Sequence, residues 1–371
     1  MTLEERIKSP GPKKILALDG GGIRGMLTLE ILVKIENVLR EALGRGESFV
    51  LADYFDFISG TSTGAIIAAG LALGRSVAEM RNFYLENGKT MFEKAAVLKR
   101  LHHFYDDEKL RAKLKEVYGE DTKLGSDRIK TLLMMVMRNA TTDSPWPVSN
   151  NPYAKYNDRS LPDCNLELPL WQLVRASTAA PVFFPPETVQ IGAKKFVFVD
   201  GGITPYNNPA FQTFLMATVE PYRVNWPAGE DKMLIVSVGT GASPHANANL
   251  EAEDMNLVHN VAAIPNALMF SALNEQDALC RIFGKCLAGQ KIDSEIGDLI
   301  GSNGPAQPKL FTYMRYNAEL TRRGLDHLGL NGIKPENVQK LDSVEFIPEL
   351  QRVGRAVAEK YVRRENFAAF L

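Results

Sequence analysis

A chain of 371 residues, 45% apolar and 23% charged, carries enough apolar material for one large α/β domain or two smaller ones. Its formal net charge of −1 supplies no long-range field for a nucleic-acid polymer or an anionic membrane. No stretch approaches the ~18 apolar residues a spanning helix needs, and the polar start at residues 1–10 has no secretion-signal core. The expected setting is cytoplasmic, with any membrane contact peripheral. Cys164, Cys280 and Cys286 lack metal-ligand spacing and read as reduced thiols.

Residues 1–12 read as a loose lead-in closed by Pro10-Gly11-Pro12. Residues 13–18 predict a short buried strand that runs into Asp19-Gly20-Gly21-Gly22-Ile23-Arg24-Gly25. Leu29, Leu32, Val33, Ile35 and Leu39 recur near helical spacing and predict a helix over 26–43, stopped by Gly44-Arg45-Gly46. A strand-like run over 54–59 reaches Gly60-Thr61-Ser62-Thr63-Gly64, and a small-residue helix follows at once. This βαβα opening predicts a mostly parallel sheet with helices on both faces.

Residues 77–118 read as helical, an insertion or cap over the sheet edge. A buried strand over 130–137 has a methionine cluster best explained as core packing. Residues 139–165, rich in Asn, Pro, Ser and Asp, read as a long surface loop holding Trp146, Tyr153 and Tyr156. A helix over 168–180 is followed by a strand over 195–199 that turns at Asp200-Gly201-Gly202. Asn207-Asn208-Pro209 starts another helix, and the strand over 232–238 ends in Gly239-Thr240-Gly241. Residues 254–283 read as mainly helical with a break near Pro265. A last strand is expected over 309–314 and an amphipathic helix, packed on the sheet, over 343–364.

The chemistry concentrates in three loops after strands, where open α/β sheets hold their sites. Gly-x-Ser-x-Gly between strand and helix is the pattern of a nucleophile elbow, with Ser62 on the tight turn. Gly60 and Gly64 leave room where a Cβ would meet the neighbouring strand and helix. The helix that begins beside Ser62 aims free N–H groups and its positive dipole end at the reacting oxygen. The Gly20–Gly22 run lets backbone amides turn toward one anion, and Arg24 adds a charged donor or a clamp. Asp200 supplies a carboxylate on a turn. Nucleophile, base and oxyanion site are the minimum for acyl transfer.

Two competing readings stay open at this point. Gly20-x-Gly22-x-x-Gly25 also fits a dinucleotide fingerprint, but the next strand ends in Gly60-Thr61-Ser62 where that reading wants an acidic residue, and Glu47 and Asp53 come too early. The base could instead be a histidine, and five exist. His245 follows the strand ending in Gly241, His102 and His103 sit in a charged helical segment, and His259 and His327 have no strand-end setting.

These residues resemble the patatin-like phospholipase family. The resemblance rests on Asp19-Gly20-Gly21-Gly22-Ile23-Arg24-Gly25, Gly60-Thr61-Ser62-Thr63-Gly64 and Asp200-Gly201-Gly202, with Ala176-Ser177-Thr178-Ala179-Ala180-Pro181, Phe184-Pro185, Asn207-Asn208-Pro209 and the 237–241 turn between and after them. It covers about 13–242 and implies a three-layer α/β/α domain over 13–371, with a helical extension from about 250. It also implies a Ser–Asp dyad without histidine, with Ser62 as nucleophile and Asp200 as base. The oxyanion site it implies is Gly20, Gly21, Gly22, Arg24 and Thr63, supported by Gly25, Gly60, Gly64, Gly201 and Gly202. Neither metal nor cofactor is implied.

The implied substrate is a phospholipid or another fatty acyl ester. Phe183, Phe184 and Val182, with the apolar helix at 65–73, are candidates for an acyl channel; Met91, Phe92 and Trp146 are candidates for peripheral docking. A non-lipid esterase or thioesterase and a nucleotide-responsive binding module are the alternatives, and the sequence sets no oligomeric state.

Overall fold

The computed structural model describes residues 1–91, 107–181, 183–243 and 257–371. In chain order it begins with helix α1 (Leu3–Lys8), strand β1 (Lys13–Leu18), α2 (Gly25–Ala42), β2 (Phe57–Thr61), α3 (Thr63–Ala72), α4 (Val77–Met91) and α5 (Asp107–Tyr118). β3 (Leu132–Asn139), β4 (Ser144–Ser149), α6 (Leu170–Ser177), β5 (Glu187–Ile191), β6 (Lys194–Asp200), α7 (Ala210–Thr218) and β7 (Met233–Val238) follow. The chain continues through α8 (Leu257–Phe283), β8 (Lys285–Ala288), β9 (Thr312–Tyr316), α9 (Arg322–His327), α10 (Pro335–Gln339) and α11 (Ile347–Tyr361).

One sheet runs β5-β6-β3-β2-β1-β7-β9-β8, with β4 added on β3. The five contacts among β3, β2, β1, β7, β9 and β8 are parallel, and β4, β5 and β6 join antiparallel, so the sheet is mostly parallel as expected. Both faces are covered. Along β1, Leu16 and Leu18 join the core beneath α2, α3 and α11, while Ile15 and Ala17 join the core beneath α7. That alternation of two buried faces makes the three layers of an α/β/α sandwich. Among the described residues no helix is long and apolar enough to cross a membrane.

The antiparallel end decides where the site lies. A strand has two edges, and β4 occupies one edge of β3 over Met134–Asn139. β2 takes the other edge as far as Val136, paired with Thr61. β6 pairs with Met137–Asn139, so it continues the edge that β2 leaves, with Asp200 opposite Met137. β6 runs against β2, and the two strands end head to head on consecutive residues of β3.

Several sequence expectations are corrected. Residues 139–165 are not simply a loop: 144–149 form β4, a hairpin partner of β3. Pro145 and Pro147 sit two apart on this edge strand, where their missing N–H groups leave the ladder to β3 intact. The asparagines beyond it bind backbone, as when Asn150 accepts from Leu133 N–H and donates to the Thr131 carbonyl. The lead-in folds too. Thr2 and Glu5 form a capping box for α1, and Ile7 is buried with its carbonyl accepting from Trp226 Nε1 at 2.9 Å. α8 continues unbroken through Pro265. α11 reaches the sheet at β9 as expected but packs chiefly on α2, closely enough that a Cβ on Gly354 would come within 2.6 Å of the Leu27 carbonyl. Strands β5 and β8 carried too little local pattern to be anticipated.

Candidate active site

Ser62 sits where β2 stops and α3 starts, with φ +54° and ψ −122°. An L-residue avoids this conformation, at a cost of about 1–3 kcal/mol, and it persists only where neighbours enforce it. The glycines supply the enforcing space. A Cβ on Gly60 would lie 2.1 Å from the Gly64 carbonyl oxygen, and one on Gly64 would lie 2.2 Å from the Leu18 carbonyl oxygen in β1. Both obstacles are backbone and cannot swing away. Gly64→Ala is therefore expected to destabilise the protein by about 3 kcal/mol or more. Urea denaturation checks this, and an unchanged midpoint would show that the elbow is looser than its packing implies.

Tyr84 of α4 fixes the start of α3. Its hydroxyl bonds the Thr63 hydroxyl and donates to the Thr63 carbonyl at 3.2 Å. Tyr118 of α5 donates to the Ile66 carbonyl at 2.8 Å. A Cβ on Gly25 would strike Thr63 Oγ1, so α2 and α3 can approach only through glycine there.

Ser62 Oγ donates to Asp200 Oδ2 at 2.6 Å, a short charge-assisted bond across 138 residues of chain. The other carboxylate oxygen, Oδ1, accepts from Gly202 N–H at 2.6 Å. Gly201 must lack a side chain, since its Cβ would lie 2.2 Å from the Val136 carbonyl oxygen. Asp200 is only 5% exposed. Burial pushes its carboxyl up to about 6, while the bonds from Ser62 and Gly202 and the positive charge of Arg175 pull the other way.

The glycine loop is held by Arg24, which the sequence pointed to, and by Arg315 and Thr240, whose holds it did not. Asp19, fully buried, makes a bidentate ion pair with Arg315 of β9, which also donates to Ser237 Oγ at 2.7 Å. Thr240 Oγ1 donates to the Gly20 carbonyl at 2.7 Å, and Arg24 Nε donates to the Gly21 carbonyl at 3.4 Å. Arg24 Nη1 bonds the Gln339 carbonyl, so of its two offered roles the clamp is the one drawn here. Burial lowers the Arg24 guanidinium to about 10, and it stays protonated at neutral pH. In a trans peptide, C=O and the next N–H point opposite ways. Fixing the Gly20 and Gly21 carbonyls thus turns the amides of Gly21 and Gly22 to the other side. The Gly20 amide is itself engaged by the Asn207 carbonyl at 3.2 Å. Gly20 is needed for close approach instead: its Cβ would lie 2.3 Å from Asn207 Oδ1 and 3.2 Å from Ser62 Cβ.

A cavity of about 520 Å³ opens at Ser62. The glycine loop, Arg24, Ser62, Thr63, Asp200 and Gly202 form its polar end, and Ile66, Tyr84, Met91, Leu110, Phe183 and Phe184 its apolar wall. Of the helix at 65–73 expected to line a channel, Ile66 alone does so; the rest is core. Met91, offered as a docking residue, is buried in this wall. Trp146 is half-buried against Phe196 and Phe198. Val182, Phe92, His102, His103 and His245 lie outside the described residues, as does the His259 side chain. His327 is exposed at the end of α9, and no described histidine lines the cavity. A wider cleft of about 1180 Å³ between α1 and the turns at 152–159 and 223–227 holds none of the motif residues.

A family model described as patatin-like phospholipase matches residues 16–214. An intracellular phospholipase A2 of Caenorhabditis elegans is 30% identical over 67% of this chain and 22% of its own length. Patatin-like protein 1 of Arabidopsis thaliana is 32% identical over 62% of this chain and 59% of its own. A cGAMP-activated phospholipase of Vibrio cholerae is 30% identical over 53% and 56%. The chain therefore spans about a fifth to three fifths of these relatives.

Proposed function

Because the chain belongs to the patatin-like phospholipase family, we propose that it is a cytoplasmic serine hydrolase cleaving fatty acyl esters of phospholipids or lysophospholipids, with Ser62 as nucleophile and Asp200 as base. The observation that carries this reading is the 2.6 Å bond from Ser62 Oγ to Asp200 Oδ2 at the polar end of an apolar cavity. Residues 13–371 act as one catalytic domain, with the segment from about 250 as its helical extension and 1–12 as its lead-in.

Ser62 Oγ attacks the ester carbonyl carbon while its proton passes to Asp200 Oδ2. Charge developing on the carbonyl oxygen is met by the Gly21 and Gly22 amides and by the Thr63 amide at the start of α3, which has no intrahelical acceptor. One such donor contributes about 3–4 kcal/mol to the barrier reduction. The leaving alcohol takes the proton from Asp200. Water then attacks the acyl-enzyme, giving its proton to Asp200, and the fatty acid departs as the Ser62 hydroxyl is restored.

A carboxylate is a weak base for a hydroxyl at its ordinary pKa of about 4. Burial that raises Asp200 to about 6 makes it a stronger proton acceptor and leaves it largely ionised at neutral pH. Hydrolysis of phosphatidylcholine vesicles, with released fatty acid identified by mass spectrometry, tests the reading. The rate is expected to rise with pH through a midpoint near 6, as Asp200 loses its proton. No fatty acid release, from vesicles or from lysophospholipid, would overturn the lipid assignment. A midpoint below 5 would mean that burial raises Asp200 less than its surroundings imply, and a rate that does not fall with acid at all would remove Asp200 as the base.

A further inference from the structure

The last turn of α6 touches both halves of the Ser62–Asp200 pair. Ser177 Oγ accepts the Ser62 N–H at 3.0 Å and donates to the Val136 carbonyl at 2.5 Å. Two residues on, the Ala179 carbonyl accepts the Asp200 N–H at 2.9 Å. Val136 pairs with Thr61, and Met137 with Asp200. One short helix end thus ties together the nucleophile's backbone, the base's backbone and the strand that both adjoin.

Ser177 is fully buried, so its hydroxyl has no water to replace these partners. The amide it holds belongs to the residue with φ +54°, the conformation that an isolated chain would relax. The same bond engages the Ser62 amide itself, so the developing oxyanion depends on other donors. The motif at 176–181 entered the sequence reading only as a family likeness, with no chemical role.

We propose that Ser177 is a positioning residue: through the Ser62 N–H and the Val136 carbonyl it holds the elbow so that Ser62 Oγ meets both Asp200 and the substrate. This rests on the reading of Ser62 and Asp200 as nucleophile and base. Ser177 touches the backbone of Ser62 and not the carboxylate of Asp200, so its loss changes the rate without changing the base.

The test is Ser177→Ala, assayed on a soluble nitrophenyl ester and titrated with a fluorophosphonate that modifies the nucleophile. Per labelled site, kcat is expected to fall about 10- to 100-fold, with KM and the pH midpoint near those of the parent. Labelling is expected to slow by a similar factor and still reach completion. An unchanged kcat per labelled site overturns the proposal, including the case in which only the fraction of labelled sites drops, which is what a purely structural role produces. A shifted pH midpoint also overturns it, because it would mean that Ser177 acts through Asp200. Ser62→Ala, run alongside, separates the two readings: turnover that survives it brings down the nucleophile assignment, whereas an inactive Ser62→Ala beside a fully active Ser177→Ala sinks the positioning role alone.

Discussion

Ser62→Ala is expected to leave the fold intact and to lower ester hydrolysis by about 10,000-fold or more. Among the described residues no neighbour is placed to take over. The nearest hydroxyl on the same helix start, Thr63 Oγ1, is engaged with Tyr84. Ser177 Oγ is committed to the Ser62 amide and the Val136 carbonyl. Alanine retains the backbone turn, whose geometry comes from Gly60, Gly64 and the Leu18 carbonyl rather than from the serine side chain. Circular dichroism and melting should therefore match the parent while turnover of a soluble ester vanishes. Activity within tenfold of the parent would remove Ser62 from the mechanism.

Asp200→Asn is expected to inactivate by about 1,000- to 10,000-fold and, at neutral pH, to stabilise. The amide oxygen can still accept from Gly202 N–H, but the amide nitrogen donates toward Ser62 Oγ and cannot receive its proton. The stability effect follows from linkage. The folded-state carboxyl sits near 6 and the unfolded one near 4. Below about pH 4 both states hold the proton. Between 4 and 6 only the folded state does, so stability falls as pH rises through this window; above about 6 the loss is complete. A shift of about two units corresponds to roughly 2–3 kcal/mol at pH 7. The asparagine, which never ionises, avoids that penalty, and its melting temperature should exceed the parent's by several degrees at pH 7 and by little at pH 4. An Asp200→Asn protein that melts lower than the parent at pH 7 would show that the carboxylate is better compensated than its burial implies. The pair of outcomes, lower activity with higher stability, is the trade-off expected where a charge is kept in a dry site for chemistry.

The parts of the site that were legible in the sequence are those made by contiguous residues. Gly60-Thr61-Ser62-Thr63-Gly64 and the Gly20–Gly22 loop carry their geometry in their own glycines: a Cβ on Gly22, Gly60 or Gly64 would hit backbone, and one on Gly20 or Gly21 would hit the Asn207 or Thr240 side chain. β1, β2, β3 and β7 were readable because strands buried on both faces become unbroken apolar runs. What was not legible arrives from far along the chain. Arg315, which pairs with Asp19 across 296 residues, lies just past the strand expected over 309–314, and nothing local ties it to Asp19. The holds of Thr240, Asn207 and Ser177 depend on which loops meet, and no local spacing encodes that. β4 was hidden because prolines at 145 and 147 are poor strand formers, and they are tolerated there because, among the described residues, one edge of that strand has no strand partner. β5 and β8 do alternate buried and exposed positions, but over only five and four residues, and in β5 one of the buried positions is the charged Glu187, so the pattern is too short and too mixed to stand out.

The head-to-head ends of β2 and β6 on adjacent residues of β3 separate two design problems. Alignment of alcohol and carboxylate is fixed by Val136 and Met137 acting as neighbouring marks on one ruler. The stretch between the two residues, which are 138 positions apart, includes α4 and α5, and much of it outside β3 can lengthen, shorten or be exchanged without altering those marks. The part of the cavity wall drawn from that stretch through Met91 and Leu110 is thereby free to diverge while Ser62 and Asp200 stay in register, whereas Tyr84, bonded to Thr63, is not.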